Sequence, residues 1–145
     1  MKEEFKTYLE AIDISRPIRD KIETIYKFFQ KICPDEITDI FVTDYLNKEG
    51  MRQYDNLWFF SKGYFMEAKQ FLTNDDFDIT PAKNILKYLQ IVKKDYDFDK
   101  ATELSRMSLN IRFDAAITGN FKASKKNCDY LKDIILNHIK PNLKQ

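Results

Sequence analysis

The stretch NLWFFSKGYFMEAKQF, residues 56–71, carries the clearest β-hairpin signal in the chain. Two runs rich in aromatic residues flank a short polar break at Ser61, Lys62 and Gly63, and aromatic residues favour strands. A glycine at the second position of a two-residue loop is typical of a tight turn with positive φ. Large apolar side chains occupy both faces near this turn, which predicts a sheet that is covered on both sides.

Other segments repeat the two-residue period of a strand. Residues 37–47, ITDIFVTDYLN, are rich in β-branched and aromatic side chains, and residues 107–114 and 117–123 alternate apolar with polar positions. This pattern predicts neighbouring antiparallel strands, each half-buried. Residues 81–93 fit a helix that starts at Pro81 and fit a strand equally well, so both readings stay open.

Helical spacing appears at the two ends of the chain. Apolar residues recur three and four positions apart over 5–12 and again over 18–32, and Ser124 is placed to cap a last helix. The order predicts an α+β protein with an N-terminal helical pair, an antiparallel sheet or bent barrel of six to seven strands, and a C-terminal capping helix. We expect one domain over 1–145, in which 1–34 is a helical extension.

Composition narrows the class of function. The chain has 145 residues and a net charge of +1, so no overall basic field attracts nucleic acid or a membrane, and we expect neither as a partner. Two widely separated cysteines suit free thiols in a reducing compartment better than a disulfide framework. The N-terminal segment lacks the apolar core of a signal peptide, which predicts a cytoplasmic protein.

The end of the chain resembles a known superfold. A strand that ends in Phe121-Lys122-Ala123-Ser124 and runs directly into an amphipathic helix looks like the last strand and helix of the pleckstrin-homology-like superfold. The stretch 56–71 followed by DITPAKNILKYLQIVKK (78–94) is also similar to bacterial members. The resemblance covers residues 37–140 and implies a bent barrel that acts as a binding module for peptides or lipid headgroups.

A metal-dependent nuclease is the first alternative. If 64–71 is a strand, Glu67 and Lys69 lie two residues apart and share a face. Such a pair, with Asp55 from the neighbouring strand, resembles the PD-(D/E)xK nucleases, in which two carboxylates hold Mg²⁺ and the lysine assists an activated water. A two-residue loop pairs Trp58 with Glu67 and places Asp55 on the opposite face. That register favours the other reading, an exposed charge pair without catalysis, and no cofactor.

The leading hypothesis is a non-catalytic module that docks a protein partner. The candidate contact surfaces are the loop between Lys48 and Arg52 and the exposed parts of the N-terminal helices. Lys125 and Lys126 fall in the expected first turn of the last helix, where positive charge is mildly unfavourable, which hints at an acidic partner. Lipid-headgroup binding is the second alternative, because the loop offers Lys48 and Arg52 but lacks the final arginine of the phosphoinositide-binding pattern. The sequence does not indicate an oligomeric state.

Overall fold

The computed structural model describes residues 1–82, 88–97, 102–113 and 117–143. The chain forms two compact units that interleave along the sequence. The first unit consists of Met1–Val42 and Asp55–Ala82, and the second consists of Thr43–Tyr54 and Lys83–Gln145. A single domain over 1–145 stays a prediction.

Helices and strands are both present, so the α+β prediction is confirmed. The helices are α1 (Glu3–Ala11), α2 (Arg16–Ile32) and α3 (Asn127–Ile134), the last continued by a π-helical turn, Ile135–Ile139, and a 3-10 turn, Lys140–Asn142. The strands are β1 (Ile37–Leu46), β2 (Arg52–Ser61), β3 (Tyr64–Ala68), β4 (Phe77–Pro81), β5 (Tyr88–Asp97), β6 (Thr102–Arg112) and β7 (Thr118–Ser124).

The described strands form two antiparallel sheets rather than one. Strands β1, β2, β3 and β4 pair in that order, and β5, β6 and β7 form a second sheet. The prediction of a single sheet or barrel of six to seven strands is therefore wrong; the seven described strands are divided between the two sheets. The two-residue period identifies strands because it reports which side chains are buried, but it carries no information about which strand is hydrogen-bonded to which.

In the first unit, α2 packs on one face of the β2–β3–β4 sheet. Phe29 is fully buried, with its ring 5.8 Å from that of Phe59 and 5.4 Å from that of Phe77. Phe28 lies 5.3 Å from Phe77, measured between ring centroids. The opposite face is buried as well, since Trp58, Phe60 and Phe65 are at most 2% exposed. Burial on both faces explains why the hairpin carries apolar side chains at consecutive positions near the turn instead of alternating apolar and polar ones.

The β2–β3 hairpin has the register that a two-residue loop predicts. Trp58 pairs with Glu67 and Phe60 pairs with Phe65. Gly63 is needed for a different reason from the predicted one, because it does not adopt a positive φ. Its amide donates a 3.0 Å hydrogen bond to Asp35 Oδ2, and a Cβ at position 63 would lie 2.7 Å from the same oxygen.

Gly63→Ala is therefore expected to destabilise the protein by about 1 kcal/mol, because the new Cβ displaces Asp35 from its hydrogen bond. Urea unfolding of a double-mutant cycle checks this. In an Asp35→Ala background the clash is gone, so Gly63→Ala should change the free energy of unfolding by less than about 0.5 kcal/mol. Equal losses in both backgrounds would contradict the close approach.

The second unit contains the β5–β6–β7 sheet and α3. Strand β5 starts at Tyr88, so residues 88–93 are strand and the helical reading of that part is wrong; residues 83–87 lie outside the described ranges. Ser124 does not cap the last helix. It ends β7, and α3 begins three residues later at Asn127, because the Ser124 hydroxyl is bonded to Asp44 and Lys125 turns the chain with a φ of 50°.

Candidate functional site

A buried carboxylate organises one end of the second unit. Asp44, in β1, is fully buried, and each of its oxygens accepts hydrogen bonds. Oδ1 accepts from the backbone amide of Ser124 at 3.1 Å and from Asn127 Nδ2 at 2.7 Å. Oδ2 accepts from the Ser124 hydroxyl and from Arg52 Nε, the latter at 2.7 Å. A buried charge is tolerated only when it is paired and hydrogen-bonded in this way.

These four residues, the Asp44 cluster, join two regions that are far apart in sequence. Asp44 and Arg52 belong to the β1–β2 hairpin, whereas Ser124 and Asn127 belong to the β7–α3 corner. Because the hydrogen bonds are charge-assisted, they fix the corner against the hairpin in one geometry. The two-residue period of β1 does not mark Asp44 for this role, because Phe41 and Thr43 on one side of the strand are as deeply buried as Val42 and Asp44 on the other.

The hairpin loop at this end exposes apolar side chains. Asn47 Oδ1 accepts hydrogen bonds from the amides of Glu49 at 3.0 Å and Met51 at 2.9 Å, and Gly50 completes the turn with a φ of 76°. The Met51 side chain is 62% exposed on this hydrogen-bonded loop. Two residues at the end of β1, Tyr45 and Leu46, are exposed as well.

Basic side chains accompany these apolar ones. Lys48 is exposed on the loop, and Lys122 Nζ lies 5.1 Å from the centroid of the Tyr45 ring, a cation–π distance. Lys125 and Lys126 are exposed at the β7–α3 corner. They precede α3 rather than occupying its first turn, so the predicted position of both lysines is wrong by one to two residues.

The Arg52 side chain is bound by other residues of this protein. Its Nε is bonded to Asp44, its guanidinium lies 5.6 Å from the Tyr54 ring, and its side chain is only 19% exposed. The predicted binding residues thus separate into two kinds. Arg52 holds the surface together, whereas Lys48, Lys125 and Lys126 present their charges to solvent. We call the exposed set the basic–apolar surface: Tyr45, Leu46, Lys48, Met51, Lys122, Lys125 and Lys126.

Glu67 is the second unusual carboxylate, and it lies in the first unit. It pairs with Trp58 on one side and with Asp78 on the other, and it is 5% exposed. Burial raises the pKa of Glu67 to about 7; the ammonium of Lys69 opposes this shift, and the negative charges of Asp78 and Asp55 add to it. The prediction that Glu67 and Lys69 form an exposed charge pair is therefore wrong, because the Glu67 side chain is buried.

The nuclease constellation is only partly assembled. Strand β3 ends at Ala68, so Lys69 lies in the following turn, with its Nζ 4.0 Å from Glu67 Oε1 and 4.0 Å from Asp78 Oδ2. The ladder does not continue to a pairing of Asp55 with residue 70. Gln70 instead adopts a φ of 45°, and the carbonyl of Asp55 accepts from the amide of Phe71.

A magnesium site fits these residues poorly. In the described ranges, no three side chains of histidine, cysteine, aspartate or glutamate are grouped closely enough to hold a metal ion. We therefore derive no chemistry through Mg²⁺ at Asp55, Glu67 and Lys69.

Comparisons with known proteins do not assign the chain to a family. No family model, no curated protein and no solved structure matches it. Among the helices that the structure describes, none has both the length and the apolar character to cross a bilayer.

Proposed function

We propose that this protein is a non-catalytic, cytoplasmic binding module that docks an acidic protein partner on the basic–apolar surface. The observation that carries the proposal is the Asp44 cluster. A fully buried carboxylate with four hydrogen bonds fixes the exposed lysines of the β7–α3 corner beside the exposed apolar residues of the hairpin. Preorganised surfaces bind more tightly, because less conformational entropy is lost on association.

The balance of charge supports an acidic partner. Among the described residues of the hairpin loop, β7, the corner and the first turn of α3, four exposed lysines compare with two exposed carboxylates, those of Glu49 and Asp129. Met51, Leu46 and Tyr45 supply an apolar and aromatic contact area, the composition that is enriched in the buried centres of protein interfaces. An acidic segment with apolar residues would complement both parts of this surface.

The backbone of Lys125 supports the use of its charge. A left-handed conformation costs a residue with a Cβ roughly 1–2 kcal/mol, and glycine or asparagine would adopt it more readily. A lysine at a position where its backbone is strained suggests that the ammonium has a use, since strained residues cluster at ligand sites.

We also propose that the chain belongs to the pleckstrin-homology-like superfold. It is supported by the order of a four-stranded antiparallel sheet, a three-stranded antiparallel sheet and a helix that follows the last strand. Members of that superfold act as binding modules, so the family and the proposed function agree, but fold alone does not determine a ligand.

Reversing two charges tests the surface. Lys125→Glu with Lys126→Glu is expected to weaken a co-purifying complex about tenfold, chiefly through slower association, and the wild-type affinity should fall as salt rises. Affinity is measured by surface plasmon resonance on the isolated partner. The matched control is Lys132→Glu with Lys140→Glu, which makes the same change of charge at exposed lysines of α3 and the turn after it.

Three outcomes would replace the proposal. If the control pair weakens the complex as much as the corner pair, the surface is wrongly placed. If the protein instead binds vesicles of phosphatidylserine, and Lys48→Ala with Lys125→Ala removes that binding, the ligand is a lipid headgroup. If the protein cleaves DNA or RNA with Mg²⁺, and Glu67→Ala abolishes cleavage, it is a nuclease.

A further inference from the structure

Strand β4 is an edge whose outward hydrogen-bonding groups can be identified. The amide of Ala82 donates to the carbonyl of Gly63 at 2.8 Å, in line with the β3–β4 ladder. In an antiparallel ladder every second residue exchanges backbone hydrogen bonds with the neighbouring strand. Counting back from Ala82, the backbone groups of Thr80 and Asp78 therefore point toward β3. The backbone groups of Ile79 therefore point away from the sheet, and in the described sheet β4 is the terminal strand.

An exposed apolar surface lies beside this edge. Phe28 of α2 contacts Phe77 of β4 and is 46% exposed, and Ile32, one helical turn farther along α2, is 47% exposed. Ile79, two residues after Phe77 and on the same face of β4, is exposed as well. Lys27 and Lys31 flank Phe28 on α2, so positions of an added strand that face the helix must be apolar rather than basic.

The other side of the edge is acidic. Asp78 is exposed on the face of β4 opposite Phe77 and Ile79, and Asp75 and Asp76 are exposed just before the strand. The ion pair between Asp78 and Lys69 has an N–O distance of 4.0 Å, and both side chains are more than half exposed. It therefore contributes little to the free energy of unfolding. The carboxylates therefore favour lysine or arginine at the alternate positions of an added strand.

We propose that β4 takes up an extended segment of a partner protein as an additional strand, with apolar residues facing Phe28, Ile32 and Ile79 and basic residues facing Asp78. Backbone hydrogen bonds would supply affinity, and the alternating side chains would supply selectivity. A second copy of this chain is disfavoured as the occupant, because pairing β4 with itself brings two aspartate-rich edges together.

A short synthetic peptide of alternating valine and lysine tests the site on the full-length protein. The amide of Ile79 should exchange rapidly in the free protein and become protected at least about tenfold when the peptide is saturating, as measured by hydrogen exchange and NMR. An alternating valine–glutamate peptide should bind at least about tenfold more weakly. Peptide binding that leaves the Ile79 amide unprotected would overturn the proposal, and so would no binding at millimolar peptide.

Matched variants locate the contact. Ile79→Pro removes an outward donor without breaking the ladder and should weaken the peptide about tenfold, whereas Ile79→Val keeps the donor and should change affinity less than about twofold. If Ile79→Pro fails to fold, Phe28→Ser tests the apolar side and should weaken binding about fivefold. Binding unaffected by Phe28→Ser would place the peptide elsewhere. Lys125→Glu with Lys126→Glu should leave peptide affinity unchanged, which separates this site from the basic–apolar surface.

Discussion

Asp44→Ala is expected to destabilise the protein by about 3–5 kcal/mol, the largest effect of any single substitution that we predict. The change removes the carboxylate that accepts four hydrogen bonds. The donors that lose this acceptor are the guanidinium of Arg52, the amide and hydroxyl of Ser124, and the side-chain amide of Asn127. Losing one partner of a buried charged pair costs more than the pair contributes, because the remaining groups stay desolvated. Urea unfolding followed by circular dichroism measures the loss.

Two controls separate the cluster from a general effect of removing negative charge. Glu49→Ala removes an exposed carboxylate on the neighbouring loop and should change the free energy of unfolding by no more than about 0.5 kcal/mol. Adding Arg52→Ala to Asp44→Ala should cost less than the sum of the two single changes, because each single change already breaks the bond between Asp44 and Arg52. A loss of about 1 kcal/mol or less for Asp44→Ala would show that the cluster does not hold the corner.

Between about pH 4.5 and 7 the contribution of Glu67 to stability should fall by about 3 kcal/mol. Its pKa is about 7 in the folded protein, against an ordinary value of 4.5. A carboxyl group whose pKa is raised by folding binds its proton more tightly in the folded state. Its contribution is therefore fully present below the unfolded pKa and is lost as the pH rises through the folded pKa.

Glu67→Gln isolates this contribution, since the amide has nearly the same shape and does not titrate. The difference in free energy of unfolding between the variant and the wild type, measured with urea at pH 4.5, 6, 7 and 8, should shift by about 3 kcal/mol in favour of the variant as the pH rises. Asp78→Asn removes a neighbouring negative charge and should move the wild-type transition to lower pH. A difference that stays constant across this range would show that folding does not raise the pKa of Glu67.

The elements of the fold were largely readable from local patterns, but their partners were not. Spacing of three and four residues predicted the buried face of α2, of which Ile22, Ile25 and Phe29 are fully or nearly fully buried. The same spacing counted Ile32, which is exposed. Turn chemistry predicted the register of the β2–β3 hairpin correctly. In the described sheets every pairing joins consecutive strands, and the division falls between β4 and β5; periodicity does not encode which consecutive strands pair.

The candidate site was predictable only in part, for a related reason. Lys48, Lys125 and Lys126 were named as candidate binding residues from their places in the sequence, and all three are exposed, because lysines are seldom buried. Burial of Glu67 and Asp44 was missed, since a carboxylate in a strand is usually solvated. The burial of Asp44 is explained by its four hydrogen-bond donors, and three of these belong to Ser124 and Asn127, which lie 80 and 83 residues away in the sequence.

That long separation has a consequence for biosynthesis. Asp44 leaves the ribosome before Ser124 and Asn127, so its carboxylate must remain hydrated until those two residues have been synthesised. The hairpin loop can reach its final geometry only after that point. A nascent or truncated chain without β7 and α3 would lack three of the four hydrogen bonds to Asp44 and would not hold the proposed docking surface in place.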